Sequence, residues 1–218
     1  MFKRCFGEGL MDQYYNRYNT AKGVRFVALG FLFLFLDLNI IADSFYIDIL
    51  PDAVGLIFFL ISVRYLEGYV KHPTNLRLLI AFLLLEDIAE WFYNMSSGSG
   101  SPVNQNDMQF LFFLASLVYA VFVYRILDAM IRVAVEYRSM REHNIRVLRV
   151  VLVIIQIAFS VLWLIPSEGI SPLAYMIIIA GFIGAIANLV VLFGLKKDVE
   201  NVPKSFFDDF EAGPDFTV

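Results

Sequence analysis

Cysteine and histidine are scarce in this chain: its 218 residues include one cysteine, Cys5, and two histidines, His72 and His143. A single cysteine excludes an internal disulfide and a cysteine-based metal cluster. The two histidines lie far apart in polar segments, so a histidine metal site is not expected, and we predict no cofactor. The motifs of phosphate-binding loops, zinc proteases and serine hydrolases do not occur. We therefore expect that the protein is not an enzyme.

Charge is also sparse, since 17% of the residues are charged, whereas an average soluble domain has about 25%. In place of charge, 59% of the residues are hydrophobic. They come in runs that approach the roughly 20 residues a helix needs to cross a bilayer. No basic patch lies outside the segments that flank these runs, so a nucleic-acid partner is not expected. The partner that the composition indicates is the lipid bilayer.

The apolar runs predict an all-α, polytopic integral membrane protein, a bundle of six transmembrane helices. The predicted spans are residues 24–42, 51–70, 75–93, 107–135, 147–165 and 173–195. Before them, in segment 1–23, residues 8–22 place several tyrosines on one helical face. Two interpretations of this helix remain open: it lies in the membrane interface, or it packs on the cytoplasmic ends of the bundle. Residues 198–218 form an acidic cytoplasmic tail.

Lysine and arginine are absent from three of the connections between these spans. All of them lie in the N-terminal segment, around the connections after spans two and four, or at the C-terminus. Connections rich in lysine and arginine mark the cytoplasmic side of a membrane protein. The distribution therefore predicts that the N-terminus and the C-terminus are both cytoplasmic.

The third span is the doubtful one, because the segment Leu83–Trp91 contains three acids. A charge at bilayer depth costs about 2.5–3.5 kcal/mol on insertion scales, which favours a re-entrant helix. If the helix did not cross, however, the five arginines from Arg132 to Arg149 would face the outside, against the positive-inside rule. We therefore expect span three to cross the membrane together with its acids.

These acids share one side of the predicted helix. At about 100° per residue, Glu86, Asp87 and Glu90 fall within one narrow arc, and Asp37 of span one lies at a similar depth. Crowded carboxylates in a low dielectric do not all ionise, so such a cluster can exchange a proton for a small cationic solute. We predict that these four residues form a substrate- or ion-binding site. The alternative is that they lie near the outer interface and face water.

A second pattern lies at the inner ends of spans two and four. The residues are Arg64, Glu67 and Lys71 in span two and Arg125, Asp128 and Arg132 in span four. Each set has a base, an acid and a base at positions i, i+3 and i+7, which share one helical face, so ion pairs within or between these helices are expected to close the inner side. The similarity suggests a duplicated helix hairpin, as in transporters, although basic inner ends are ordinary in unrelated spans.

The tail segment 205–211 mixes aromatic residues with acids. Phe206, Phe207 and Phe210 would share one face of a short helix that docks in the groove of a protein partner. The alternative is a disordered acidic end.

The segment Asp48–Ile57, with the sequence D-I-L-P-D-A-V-G-L-I, resembles a segment of small uncharacterised multi-pass membrane proteins of Gram-positive bacteria. The resemblance implies a bacterial plasma (inner) membrane and supplies no activity. In size the chain is similar to the substrate-binding subunits of vitamin-uptake transporters, but span one contains none of their characteristic motifs.

Two functions follow from these patterns. The first is a small-solute or ion transporter, or a membrane solute-binding subunit, that uses the outer carboxylates. The second is a non-transporting scaffold or regulator that binds partner proteins through its N-terminal helix and its tail. A cavity that reaches Glu86 would favour the first function. A tightly packed bundle with these acids at the headgroup level would favour the second.

Overall fold

Six helices and one short β-hairpin follow one another in the computed structural model. The elements are α1 (Phe2–Phe35), β1 (Asn39–Ala42), β2 (Phe45–Asp48), α2 (Asp52–Tyr65), α3 (Pro73–Ser96), α4 (Gln105–Glu136), α5 (Glu142–Leu162) and α6 (Pro172–Asn201). The structure describes these elements and the turns 66–72 and 137–141, with side chains for residues 16–35, 52–89, 113–161, 172 and 174–201.

The helices form a ring in chain order. Each helix packs against the next one along the chain, and α6 packs against α1 to close the ring, while α1 also touches α4 across the centre. The ring of helices has a basic end and a hairpin end. The basic end carries the turns 66–72 and 137–141, and the hairpin end carries β1 and β2, of which β2 packs on α3.

Among the residues that the structure describes, three helices have the length and composition of membrane spans, in the segments Phe113–Glu136, Glu142–Val161 and Ala174–Asn201. The segment of α5 has a mean hydropathy of 1.9, yet only 11% of it is buried. A helix this apolar would be buried in a water-soluble protein. Its exposed side chains, such as Val147, Ile154 and Val161, are spaced to form one continuous apolar face, as expected for a face in contact with lipid.

Helices α1 and α2 approach closely because glycines lie at their contact. A Cβ added at Gly55 would lie 2.8 Å from the carbonyl oxygen of Gly30, and one added at Gly30 would lie 2.7 Å from the ring of Phe59. Small residues allow this kind of approach between membrane helices. The close contact brings α2 against the C-terminal part of α1 and sets the level at which α2 begins.

The first predicted span needs correction. The structure joins it to the predicted N-terminal helix as the single helix α1, which ends at Phe35 instead of Ala42, and residues 39–42 form a strand. This strand pairs with β2 so that Ala42 lies opposite Phe45. The reason is local, because Ile40, Ile41 and Tyr46 favour strands. The bundle is therefore helical except for this hairpin.

Span two is shorter than predicted, since α2 ends at Tyr65 and not near Val70. The carbonyl of Leu66 accepts hydrogen bonds from the amides of Tyr69 and Val70, which closes a turn in place of a further helical turn. His72 then adopts a positive φ of 58°, a left-handed conformation in which histidine is enriched among non-glycine residues. Pro73 begins α3, where its missing N–H costs no hydrogen bond.

The predicted basic connection after span four is shorter than expected, because α5 begins at Glu142 and not near Val147. Arg138 ends α4 with a left-handed φ of 47°, and the amide of Ser139 donates to the carbonyl of Ala134, a common helix stop. The hydroxyl of Ser139 then accepts from the amide of Arg141. These caps allow α5 to start among charged residues.

Helix α6 continues to Asn201, past the predicted end of span six at Leu195. Val199 is fully buried, and Asp198 accepts a hydrogen bond of 2.6 Å from Ser139 and pairs with Arg141 at 3.2 Å. The first residues of the predicted tail are therefore part of the bundle at its basic end. The docking segment around Phe206, Phe207 and Phe210 lies outside the described residues.

Candidate functional site

A cavity of about 650 Å³ lies inside the ring, toward the hairpin end. All six helices contribute side chains to its wall. The polar residues of the wall are Asp52, Glu86, Ser116, Tyr119, Gln156 and Asn188. The aromatic residues are Phe31, Phe35, Phe159 and Phe182 together with Tyr119. Along α6 the wall runs from Ile177 to Asn188, which is about 16 Å of helix at 1.5 Å per residue.

Glu86 is the one predicted site residue whose side chain the structure places in this wall. It lies on α3 one helical turn beyond Leu83, which also lines the cavity. Leu78, Phe82 and Leu85 are exposed and lie within about 100° of Glu86 around the helix. Glu86 therefore lies at the border between the exposed apolar face of α3 and the cavity.

The other predicted acids do not share this position among the described residues. Asp87 is partly buried, with its Oδ2 atom shielded from solvent, but it is not part of the cavity wall. Glu90 lies in α3, and its side chain is outside the described part. Asp37 lies outside the described residues altogether, so its predicted place beside Glu86 stays a prediction.

Asp52 is a wall residue that was not among the candidates predicted from the sequence. It is the first residue of α2, and the close contact of Gly55 with Gly30 and Leu34 places it near the end of α1. The ring of Phe35 at this end lies 5.3 Å from that of Phe182 on α6. Asp52 is therefore level with Phe182, and it adds a second carboxylate to the wall.

Asn188 on α6 is the second wall residue missed from the sequence. It is 1% exposed, and its Nδ2 atom has no hydrogen-bond partner among the described residues. Leaving a buried donor unpaired costs about 1–3 kcal/mol. The sequence signal for Asn188 is its amide side chain within the otherwise apolar run from Ile177 to Leu195. The predicted site was based on charged residues and did not include it.

An aromatic cluster separates the cavity from the basic half of the bundle. The ring of Phe59 lies 5.0 Å from Phe31 and 4.8 Å from Phe122, edge to face in both pairs, and Phe59 and Phe122 are fully buried. Toward the basic end, α4 and α6 continue with buried apolar side chains, among them Leu127 and Leu192. The cavity is thus closed toward the basic end by a packed core.

The predicted inner ion pairs involve partners that the repeat pattern did not reveal. Asp128 accepts from Arg132 on its own helix at 2.9 Å and from Arg149 on α5 at 2.7 Å. Arg149 also lies over the ring of Tyr124, 4.6 Å from its centre. One carboxylate therefore joins α4 to α5 near the basic end.

Glu67 pairs with Arg77 of α3 at 3.3 Å, and not with Arg64. Arg64 and Arg125 are exposed and join no ion pair within the described residues. In both hairpins an acid late in one helix or in the turn that follows it thus pairs with an arginine early in the next helix. The duplicated hairpin itself stays a prediction.

Comparisons of the chain with protein-family models, with curated proteins and with solved structures gave no match. Within the part of the chain that the structure describes, no group of three or more His, Cys, Asp or Glu side chains is placed to hold a metal ion. The chemistry of the cavity therefore has to be inferred from its own wall, which combines two carboxylates, an amide donor and aromatic rings.

Proposed function

We propose that the protein is a six-span protein of a bacterial plasma membrane that binds a small organic cation in this cavity, as a transporter or as a solute-binding subunit. Both termini are cytoplasmic in this proposal, so the hairpin end faces outward. The observation that carries the proposal is the joint presence of Asp52 and Glu86 in one cavity. The scaffold alternative depends on the N-terminal helix and on the tail, and the side chains of residues 1–15 and the tail after Asn201 lie outside the described part.

The chemistry of the wall supports a cation as the ligand. A charged side chain inside a membrane bundle is costly unless a pathway, a partner or a bound ion uses it. An ammonium group between two carboxylates would neutralise them, and the faces of Phe35, Tyr119 and Phe182 offer cation–π contacts. The volume of about 650 Å³ lies within the range of roughly 300–1,000 Å³ for small-molecule sites.

The closed basic half supports an outward-facing state. Buried apolar side chains fill the ring there, and the Asp128–Arg149 ion pair holds α4 to α5. A solute bound at Glu86 would have no path to the basic end until these helices separated. In a transporter, opening this half would be the alternating step. In a solute-binding subunit, it would stay closed.

Binding can be measured by isothermal titration calorimetry of octylamine into the protein in lipid nanodiscs, with empty nanodiscs subtracted. We expect Glu86→Gln and Asp52→Asn each to weaken binding about tenfold or more, since each removes a charge-assisted contact of about 1.5–3 kcal/mol. Lowering the pH should also weaken binding, because protons compete for the same carboxylates. Uptake of radiolabelled octylamine into proteoliposomes separates a transporter from a binding subunit.

The matched control is Glu142→Gln. Glu142 pairs with Arg146 at the surface of the basic end, so its loss should leave binding unchanged. Equal affinity in the wild type, Glu86→Gln and Asp52→Asn would remove the cavity carboxylates from the function.

A further inference from the structure

We propose that the ligand is an elongated cation whose far end carries a hydrogen-bond acceptor, to which the Asn188 amide N–H donates. This inference rests on the proposed function and adds the chemical class of the solute. The observation behind it is that Asn188 lines the cavity, is 1% exposed, and has an Nδ2 donor with no partner among the described residues. A ligand acceptor would satisfy this buried donor.

Asp52 and Asn188 are separated along the bundle axis. Asp52 is level with Phe182, as the contacts of Gly55 and of Phe35 show. Asn188 lies six residues further along α6, which is about 9 Å toward the basic end at 1.5 Å per residue. A compact ammonium ion cannot contact both groups. A ligand that does so has its positive charge and its acceptor separated by a chain of about this length.

The wall between these groups is mostly apolar on the α5 and α6 sides, where Gln156 is the polar exception. Leu152, Ile155 and Phe159 of α5 line the cavity together with Gly181 and Ala185 of α6, and Ile155 packs against Gly181. These apolar side chains would bury the ligand chain. Burial of apolar surface contributes about 25 cal/mol per Å². The middle of the ligand is therefore an alkyl or aromatic segment.

An Nδ2 donor that faces the ligand disfavours a second ammonium group at the far end. An ammonium group has donors and no acceptor, so it could not accept a hydrogen bond from the Asn188 N–H. Primary amines that end in an ether, carbonyl or similar acceptor fit the cavity, whereas linear diamines do not.

The test compares octylamine with methoxyhexylamine, in which an ether oxygen replaces one methylene group near the far end. Titrations use the wild type and Asn188→Leu in nanodiscs, with hexanediamine as a third probe. We expect Asn188→Leu to lower the preference for methoxyhexylamine over octylamine about tenfold, the size of one hydrogen bond to a buried donor. The variant should bind octylamine at least as tightly as the wild type does, and that binding also reports that the variant is folded. Asn188→Ser provides a second variant if the leucine variant does not fold.

The outcomes separate the two proposals. If neither amine binds to the wild type, the proposed function fails and this inference fails with it. If both bind in a Glu86-dependent way but with the same selectivity in the wild type and Asn188→Leu, only this inference fails, and cavity water satisfies Asn188 instead. A preference for hexanediamine that depends on Asn188 would also overturn it, since it would show that the amide oxygen faces the ligand.

Discussion

Polar side chains inside the bundle differ in what they contact. Asp128 accepts hydrogen bonds from two arginines, Arg132 and Arg149, and ties α4 to α5. Asn188 is more deeply buried, and its amide nitrogen has no partner among the described residues. A group that serves only stability is normally satisfied. The contrast predicts opposite responses to substitution at these two positions.

Replacing Asn188 should not destabilise the protein. Leucine has the same branching and number of heavy atoms as asparagine, the cavity leaves room for its larger methyl groups, and the change removes an unpaired donor, so Asn188→Leu should leave stability unchanged or raise it by up to about 2 kcal/mol. The reciprocal control is Leu192→Asn, one turn away and fully buried, which should lose about 2–5 kcal/mol. Denaturant-induced unfolding in mild detergent measures both. A clear loss of stability in Asn188→Leu would show that the amide is structural.

Replacing Asp128 should destabilise the protein. Asp128→Asn removes the charge that both arginines contact, and Arg149 is only 17% exposed, so we expect a loss of roughly 1–3 kcal/mol. The control Glu142→Gln breaks the more exposed pair with Arg146 and should change stability by about 0.5 kcal/mol or less. Equal effects in the same unfolding assay would contradict a special role for Asp128.

The helices meet through features that hydropathy does not reveal. α1 and α2 approach at glycines, and their contact sets the position of Asp52 at the cavity wall. Helix α5 begins early because Ser139 caps it, and α6 continues because Val199 is buried and Asp198 reaches Ser139. Ends of helices thus depend on caps and on neighbours more than on the length of an apolar run.

The α1–α2 contact can be tested with two alanine substitutions. Gly55→Ala places a methyl group 2.8 Å from the Gly30 carbonyl oxygen, and backbone cannot yield as a side chain can, so we expect a loss of about 1–3 kcal/mol. The matched control is Gly68→Ala, where no atom lies within 4 Å. Its stability should stay within about 0.5 kcal/mol of the wild type. Since α2 also positions Asp52, Gly55→Ala should weaken octylamine binding as well.

The molecule as a whole combines a packed half and a hollow half. The basic end has a continuous apolar core, whereas the cavity and its carboxylates lie toward the hairpin end. Outside this core, exposed apolar side chains on α3 and α5 do not line the cavity. Three helices carry membrane-span segments within the described residues. A bundle with an apolar outside and carboxylates inside is arranged for a lipid environment.

The proposed topology can be tested by cysteine labelling, because Cys5 is the only native cysteine. In a Cys5→Ser background, Met140→Cys places a cysteine in the turn 137–141, at a position where the native Met140 is 97% exposed. A membrane-impermeant maleimide should label it only after permeabilisation of the cells. Ser99→Cys, between α3 and α4, should be labelled in intact cells. Labelling of both positions on the same side would contradict six spans.

Membrane class, helix order and the clustering of bases could be read from the sequence, because they depend on the local composition along the chain. The approximate limits of α3 and α4 were also predictable for this reason. Glu86 could be selected as a candidate since helical spacing places it beside Asp87 and Glu90. Helical spacing alone does not show which of Glu86 and Asp87 lines the cavity. The two side chains differ by about 100° around α3, and the packing of the neighbouring helices decides which of them meets the cavity.

The remaining features arise from residues that meet across the ring. Asp52 and Asn188 are 136 positions apart, and no periodicity along either helix relates them. They share a cavity because glycines draw α2 against α1, and because α6 closes the ring onto α1. Likewise, Asp128 meets Arg149 because α5 returns along α4. Hydropathy and charge act along the chain and assign residues to the membrane, whereas close packing between helices assigns them to one another.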